Sequence, residues 1–205
     1  VQQNGKLNMR LTFLIGLAFF TTGVSWSLYN SQVNQALENY LGLLSIVGIF
    51  MAMDNIIGVI IQPIMGWVSD ITRTKLGRRM PYIIIGTISA AIFFALIPTG
   101  FGTNIGILLF WMFFFSLSMG FYRSQAVALM PDFIRPHNRS KANAIINLMG
   151  GVGGIIAYTL GLLSDVVGFF VIFLIGSILM VVALVILVWQ VKEKEAYSYQ
   201  EVLLA

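Results

Sequence analysis

Residues 65–82 read MGWVSDITRTKLGRRMPY and hold an unusual share of the charge in this chain. One aspartate, three arginines and one lysine lie in this stretch, whereas the runs on both sides are long and almost free of charge. The glycines and the proline in the same stretch favour a turn over a continuous helix. The pattern predicts a short polar loop that joins two long apolar segments.

The composition indicates where such apolar segments belong. The chain has 205 residues, of which 58% are hydrophobic and 10% are charged. A soluble domain typically carries about 25% charged residues. So few charged groups cannot cover a surface that faces water, and the sequence therefore predicts a membrane-embedded protein.

The residue counts disfavour several other classes of protein. The chain has no cysteine, which excludes disulfides and thiolate ligands, and its one histidine, His137, has no second histidine with which to share a metal. No Ser–His–Asp set or pair of catalytic carboxylates is evident, so we expect no enzymatic activity, cofactor or metal. The net charge of +4 suits nucleic acid or anionic lipid, but the positions of the cations favour the lipid bilayer, and we expect no nucleic-acid partner.

Six apolar runs are long enough to cross a membrane as helices. A helix needs about 20 apolar residues to cross a hydrocarbon layer about 30 Å thick, and lipid offers no partners to an open backbone. The predicted spans, numbered in chain order, cover residues 11–35, 41–68, 81–97, 105–130, 142–163 and 169–191. We therefore expect a six-helix bundle over residues 1–191 and a cytoplasmic linker or tail over residues 192–205.

Outside the predicted spans, all the cations lie at one end of the predicted bundle. They precede span 1, follow span 6 and occupy the loops between spans 2 and 3 and between spans 4 and 5: Lys6, Arg10, Arg73, Lys75, Arg78, Arg79, Arg135, Arg139, Lys141, Lys192 and Lys194. The other loops, around Glu38, Asn104 and Asp165, contain no lysine or arginine. Because short cation-rich loops stay in the cytoplasm, we expect a multi-pass protein of the inner or plasma membrane with both termini cytoplasmic.

The loop stretch also resembles a known family signature. Gly66 and Asp70, followed by Gly77-Arg78-Arg79 and Pro81, resemble the loop between helices 2 and 3 of the major facilitator superfamily. The seven-residue step from Asp70 to Gly77 resembles the glycoside–pentoside–hexuronide:cation symporters and the sucrose–proton symporters. The segments IIQPIMGWVSD and GVSWSLYNSQVNQALENYLG resemble helices 2 and 1 of the sucrose carriers, and AVALMPD followed by Arg139 resembles loop 4–5 of the wider branch.

The resemblance implies an all-α membrane fold. It corresponds to one half of a major facilitator, the N-terminal six helices, built as a three-plus-three inverted repeat. The family needs two such halves to form a central cavity. The chain is then either the N-terminal half of a longer carrier, completed by a C-terminal half, or a half-size protein that pairs with a second copy as a homodimer. The matched segments all resemble N-terminal halves, which favours the first alternative.

In the family, the loop motif forms a latch that holds the two halves together on the cytoplasmic side in the outward-open state. A glycine allows a second helix to approach closely, an aspartate suits the positive end of a helix, and Arg78 and Arg79 can bind Asp132. The residues that the resemblance assigns to this latch are Gly66, Asp70, Gly77, Arg78, Arg79, Asp132 and Arg139.

Only two ionisable residues lie well inside the predicted spans, Asp54 in span 2 and Arg123 in span 4. Intramembrane charges usually face a cavity or a partner. Asp54 begins a stripe of small or polar residues on one face of the predicted helix, which continues at steps of four residues through Gly58, Gln62 and Gly66. A carboxyl group away from water holds its proton more readily, so Asp54 is the candidate proton-coupling site. The alternative is a structural ion pair with Arg123. The sodium-coupled relatives have acids where Gly58 and Gln62 stand, which argues against sodium.

Candidate sugar contacts lie on several helices. The planar guanidinium of Arg123 can bind sugar hydroxyls, a uronate or a carboxylate. Sugars need paired donors and acceptors and a flat apolar ring. The residues that fit these needs are Trp26, Tyr29, Asn30, Asn34, Tyr122 and Asn147. For each aromatic residue, a place in the core or at the membrane interface is the competing interpretation. The run GGVGG at residues 150–154 indicates close helix packing or a flexing point.

These observations predict a secondary active transporter, or half of one, that moves a sugar or glycoside with a proton by alternating access. The first alternative is a carrier of another small solute, including an anionic one bound by Arg123. The second is a half-size subunit that acts as a homodimer or as a non-transporting assembly component. Polar stripes on several helices argue against a purely structural subunit, which has no use for them.

Overall fold

The computed structural model describes residues 7–192 and residue 196. In that part of the chain the backbone forms α1 (Met9–Leu41), α2 (Leu44–Met51), α3 (Met53–Ile71), α4 (Met80–Leu96), α5 (Ile105–Phe133), α6 (Arg139–Leu162), α7 (Ser164–Val167) and α8 (Phe169–Gln190). Short 3-10 helices, Ile97–Gly100 and Pro136–Asn138, follow α4 and precede α6. Except for residues 192 and 196, the predicted tail lies outside the described residues.

The described chain contains six helical stretches that are long and apolar enough to cross a membrane. They correspond one to one to the predicted spans, with α2 and α3 together forming the second. The prediction of an all-α, six-span membrane protein is therefore confirmed. Spans 1, 3, 4, 5 and 6 correspond to α1, α4, α5, α6 and α8.

The boundary between the first two spans differs from the prediction. α1 continues to Leu41, beyond the predicted end at residue 35, and Glu38 lies inside the helix rather than in a loop. The helix ends where Gly42 adopts a positive φ of 66° and donates its N–H to the Glu38 carbonyl at 2.8 Å. Polar residues can extend a helix past the hydrocarbon layer, so hydropathy marks the lipid boundary and the glycine marks the end of the helix.

The second span is not one continuous helix. A turn at Ala52 separates α2 from α3, although the Ala52 N–H still bonds to the Gly48 carbonyl at 2.9 Å. Asp54 therefore lies in the first turn of α3, directly after this turn, rather than within an unbroken helix as expected. Pro63 lies farther along α3. The turn at Ala52 thus divides this span in two, whereas α3 continues through Pro63 as one helix.

The helix pairs have the symmetry expected of an inverted repeat. The closest association joins α1 to α6, and its counterpart joins α5 to α3. Likewise α1 packs on α8 while α5 packs on α4, and α4 packs on α8. Exchanging the first three spans with the last three maps each of these pairs onto another or onto itself. This is the packing of a three-plus-three half of a major facilitator fold.

Glycines allow the contact between α1 and α6 to be unusually close. A Cβ atom placed on Gly23 would lie 2.0 Å from the Gly150 carbonyl oxygen, and one on Gly153 would lie 2.4 Å from the Phe20 carbonyl oxygen. The GGVGG run thus packs against the backbone of α1, and the prediction of close helix packing there is confirmed. This contact brings the polar residues of α1 and α6 to the same side of the bundle.

Candidate functional site

A cavity of about 1040 Å³ opens between α1, α3, α5 and α6. Glycines and apolar side chains form much of its wall, including Trp26, Gly58 and Gly120. Its polar lining comes from all four helices and comprises Thr22, Asn30, Asp54, Asn55, Gln62, Ser116, Arg123 and Asn147. The combination of an apolar wall with a few polar groups is typical of a small-molecule site.

The cavity contains one carboxylate and one guanidinium. Asp54 is half-buried, and one carboxylate oxygen accepts the N–H of Asn55 at 3.0 Å. Arg123 is exposed to the cavity. Within the described chain, neither side chain has an ion-pair partner or a hydrogen bond to the other. The two charges therefore share one cavity without neutralising each other by direct contact, and the structural Asp54–Arg123 pair considered above is not formed.

Three further predicted contacts line the same cavity. Trp26 and Asn30 reach it from α1, and Asn147 reaches it from α6. The Trp26 ring packs edge-on against Tyr29 and Phe115, with ring centroids 5.5 Å and 5.6 Å apart. Its indole N–H is buried and has no acceptor in the described chain. A buried donor without a partner suits a ligand oxygen.

Three other residues that the sequence suggested do not line this cavity. Tyr29 and Tyr122 are fully or almost fully buried in the helix bundle. The Tyr122 hydroxyl contacts the Thr21 hydroxyl and donates to the Ala18 carbonyl, which ties α5 to α1. Asn34 is exposed on α1, one turn beyond the lining. The tyrosines occupy the core because their faces of α1 and α5 pack on neighbouring helices, and we leave all three residues out of the site.

Several polar residues that line this cavity were not predicted from the sequence. Asn55 follows the candidate acid directly, and Thr22 lies one turn before Trp26 on the same face of α1. Ser116 lies two turns before Arg123 on α5 and is buried at the cavity wall. The spacing of Thr22, Trp26 and Asn30 could have shown that this stripe begins and ends one turn earlier than Trp26, Asn30 and Asn34.

A network of ion pairs lies at the end of the bundle that carries residues 65–82. Asp132 accepts from Arg78 Nη2 at 2.7 Å and from Arg79 Nε at 2.6 Å, so both of its carboxylate oxygens are bound. Asp70 accepts from Arg79 Nη2 at 2.9 Å and lies 3.9 Å from Arg78 Nη1. The structure thus brings together four of the residues that the resemblance assigns to the latch: Asp70, Arg78, Arg79 and Asp132.

Neutral side chains connect this network to the helices. Arg79 Nη1 donates to Ser69 Oγ at 2.8 Å and to Gln125 Oε1 at 3.3 Å. Gln125 Nε2 in turn donates to the Met65 carbonyl at 2.8 Å, which joins α5 to α3. Arg79 is 7% exposed, and these contacts together satisfy most of its donors. A guanidinium held at several points is a fixed part of the structure.

The remaining latch residues have separate surroundings. Gly77 is buried, has a φ of 117° and closes a turn with Thr74, a conformation that favours glycine. Arg139 donates to the carbonyls of Ile134 and Pro131, both at 3.1 Å, and so covers the end of α5. A Cβ atom on Gly66 would meet no atom of the described chain within 4 Å, so no other helix among the described residues approaches it closely.

The fold and the cavity define a class of protein, the multi-pass membrane bundles that are built from inverted repeats and enclose a polar site. The chain belongs to the Major Facilitator Superfamily, whose family model matches residues 15–201. This membership confirms the family resemblance drawn from the loop motif.

Curated relatives give a finer similarity. The chain is 30% identical over 130 residues to sucrose transport protein SUC3 of Arabidopsis thaliana, covering 52% of this chain and 21% of that protein. It is 26% identical over 186 residues to sucrose transport protein SUT1 of Oryza sativa subsp. japonica, covering 78% and 34%. It is 25% identical over 122 residues to a general alpha-glucoside permease of Schizosaccharomyces pombe, covering 52% and 22%. The matches therefore span between a fifth and about a third of each relative.

Proposed function

We propose that the chain is a secondary active transporter, or half of one, that moves a sugar or glycoside across the membrane with a proton. The observation that carries the proposal is the cavity, where an unpaired carboxylate faces the same space as an indole ring, amides and a guanidinium. Amides and a guanidinium supply donors and acceptors for hydroxyl groups. The similarity to sucrose transport proteins and to an alpha-glucoside permease supports this substrate class.

In the proposed cycle, Asp54 is the proton-coupling residue. It binds a proton when the cavity faces the side of higher proton concentration and releases it on the other side. Arg123, Trp26, Asn30 and Asn147 contact the substrate, with the Trp26 indole as the flat apolar surface for the sugar ring. A second half, either a C-terminal half of the same carrier or a second copy, completes the cavity and allows alternating access. The loop network acts as the latch between the halves.

Transport by the purified chain in proteoliposomes tests the proposal. Uptake of radiolabelled sucrose and of methyl α-glucoside is measured with and without an imposed inward proton gradient. We expect the gradient to drive accumulation of at least one of these sugars, and a protonophore to abolish it. If neither sugar accumulates or exchanges in vesicles where circular dichroism shows a folded helical protein, the proposal is wrong for this chain acting alone or with its own copy.

A second candidate is transport of an anionic solute. It is supported by Arg123, whose guanidinium faces the cavity without an ion-pair partner in the described chain. Inhibition of uptake by competing sugars separates the two candidates. Glucuronate and glucose are suitable competitors, because they differ only at C6, where glucuronate has a carboxylate in place of the hydroxymethyl group. An anion carrier is inhibited far more strongly by glucuronate, and this advantage disappears in Arg123→Ala. A sugar carrier shows no such preference.

We also propose that both termini and the loop at residues 72–79 are cytoplasmic. The chain contains no cysteine, so single cysteines can be introduced without background labelling. Lys75 and Thr103 are exposed and lie in loops at opposite ends of the bundle. In right-side-out cells, an impermeant maleimide should label Thr103→Cys and leave Lys75→Cys unlabelled until the membrane is opened. Labelling of both from outside would contradict the orientation.

A further inference from the structure

A second and smaller cavity lies at the opposite end of the bundle from the ion-pair network. Its volume is about 350 Å³, and it is bounded by the last turns of α1, the turn after α4 and the start of α8. The side chains that matter here are Gln32, Gln35, Asn39, Tyr40, Phe101 and Phe169. We call this space the outer cleft. It shares no lining residue with the central cavity.

The deepest polar group of the outer cleft lacks a hydrogen-bond donor. Gln32 is 7% exposed, and its Nε2 donates to the Gly161 carbonyl on α6 at 3.4 Å. Its Oε1 is buried and has no partner in the described chain. A buried acceptor without a donor destabilises the folded state unless a ligand or water supplies one. Since Gln32 lines the cleft, a ligand bound there can donate to it.

Besides the Tyr40 hydroxyl, the other polar side chains of the cleft are amides on the same face of α1. Gln35 and Asn39 follow Gln32 at steps of three and four residues, which places them along one stripe of the helix. Each amide offers two N–H donors and an acceptor oxygen, as a row of hydroxyl groups requires. Among the described residues, the lining contains no charged side chain. The cleft therefore suits a neutral ligand rich in hydroxyl groups better than an ion.

Aromatic rings form the opposite wall and are held in place. The Phe101 ring packs edge-on against Phe169 and Phe173, with centroids 5.2 Å and 5.7 Å apart. The Tyr40 hydroxyl donates to the Gly100 carbonyl at 2.7 Å, which fixes the turn before Phe101. An apolar ring that is already positioned loses little conformational freedom when a ligand binds.

We propose that the outer cleft is a binding site for a single neutral sugar ring, separate from the central cavity. The amides of α1 bind the hydroxyls, Gln32 Oε1 accepts the innermost one, and Phe101 and Phe169 cover the apolar side of the ring. A volume of about 350 Å³ is at the small end for ligand sites, which fits one ring rather than a disaccharide. The ring can belong to a free sugar or to the headgroup of a glycolipid.

Binding in lipid nanodiscs tests this site without relying on transport. The chain is purified in a detergent that has no sugar headgroup and is placed in phosphatidylcholine nanodiscs. Binding is measured in the Trp26→Ala/Asn30→Ala variant, so that the central cavity does not contribute. Saturation-transfer NMR measures binding of methyl α-glucoside, and native mass spectrometry counts the monogalactosyl diacylglycerol molecules that stay bound after this lipid is added to the bilayer. We expect the further changes Gln35→Ala/Asn39→Ala to weaken binding at least tenfold for whichever source binds. Glu38→Ala, on the same turns of α1 but outside the cleft lining, is the matched control and should leave the binding of the parent variant unchanged.

Variants of the central cavity separate binding at the outer cleft from binding and transport at the central cavity. Trp26→Ala/Asn30→Ala should leave ring binding at the outer cleft intact even where it abolishes transport, so failure of the proposed transport function does not decide the fate of this site. Gln32→Met, which keeps the volume and removes the unpartnered acceptor, should lower affinity and leave the thermal midpoint unchanged or raised. The proposal is overturned if neither source binds to the Trp26→Ala/Asn30→Ala variant, or if the α1 amide changes leave the binding of that variant unaltered.

Discussion

Charged side chains occur in two regions of this bundle, and the two regions differ in how the charges are neutralised. At the loop end, Arg78 and Arg79 form ion pairs with Asp70 and Asp132 at 2.6–2.9 Å, besides one longer contact. In the central cavity, Asp54 and Arg123 face the same space but form no ion pair in the described chain. The first arrangement is typical of a network that stabilises a fold, and the second is typical of a binding site.

The two regions therefore differ in whether each charged side chain has an oppositely charged partner within the described chain. A buried ion pair whose lone pairs are filled by neighbours holds a single arrangement, and removal of one partner strands the other. An intramembrane charge without a protein partner is costly and is retained where it binds a substrate or an ion. The comparison therefore predicts loss of stability at the loop end and loss of function in the cavity. The following variants test that division.

The largest effect is expected from Asp54→Asn. Asparagine imitates the protonated acid but cannot release a proton, so concentrative uptake should fall to background while exchange of sugar between the two sides continues. Uptake and counterflow in proteoliposomes measure the two activities separately. Glu38→Gln, which neutralises a carboxylate outside the cavity, is the control and should retain accumulation. Accumulation by the Asp54→Asn variant against a gradient would show that another group carries the proton.

The next largest effect is expected at Arg79, whose side chain is 8% exposed. Arg79→Ala leaves Asp132 with one arginine and removes the donors to Ser69 and Gln125, and loss of a buried charge partner costs about 3 kcal/mol. Thermal or denaturant unfolding in mild detergent measures the loss. Arg73→Ala is the control, because Arg73 is exposed and its guanidinium donates to the Asp70 and Thr72 carbonyls rather than to a carboxylate. Equal stability of the two variants would refute a structural role for this network.

Arg123→Ala should have the opposite result to Arg79→Ala: little change in stability and a clear loss of substrate affinity. Since the guanidinium has no partner in the described chain, its removal strands no buried charge, and the stability should change by less than about 0.5 kcal/mol. Substrate affinity should fall about tenfold, which corresponds to about 1.4 kcal/mol. Titration calorimetry and unfolding on the same preparation separate the two quantities. A large loss of stability with unchanged affinity would reassign Arg123 to the fold.

The helices themselves were predictable from sequence, because hydropathy over about 20 residues directly reflects the membrane thickness. The end of α1 and the turn at Ala52 were not, since both depend on backbone hydrogen bonding that apolar composition does not encode. The loop motif indicated the partners Arg78, Arg79 and Asp132 because the resemblance supplied their spacing across distant segments.

The cavity was only partly predictable. Asp54 and Arg123 stood out as rare charges among apolar residues, and both line it. Tyr29 and Tyr122 could not be assigned from sequence, because an aromatic ring in an apolar helix suits the core, the lipid face and a binding site equally well. Only the packing of α1 against α5 and α6 shows which of these faces is covered. The rotation of a helix about its axis is therefore the information that the sequence pattern lacked here.

The last and sharpest test of the comparison is Asp70→Asn, for which we expect only a small loss of stability. The Asp70 side chain is 55% exposed, whereas that of Asp132 is 10% exposed, although both bind the same arginines. Water screens an exposed pair, so Asp70→Asn should cost less than about 1 kcal/mol, and Asp132→Asn should cost clearly more. If Asp70 also faces a helix N-terminus of the second half, the same variant should shift the population of states several-fold. Accessibility of a cysteine introduced in place of Asn30 to an impermeant reagent would then change, although unfolding would not. Equal losses of stability for Asp70→Asn and Asp132→Asn, with no change in accessibility, would make Asp70 an ordinary member of the structural network and remove it from the latch.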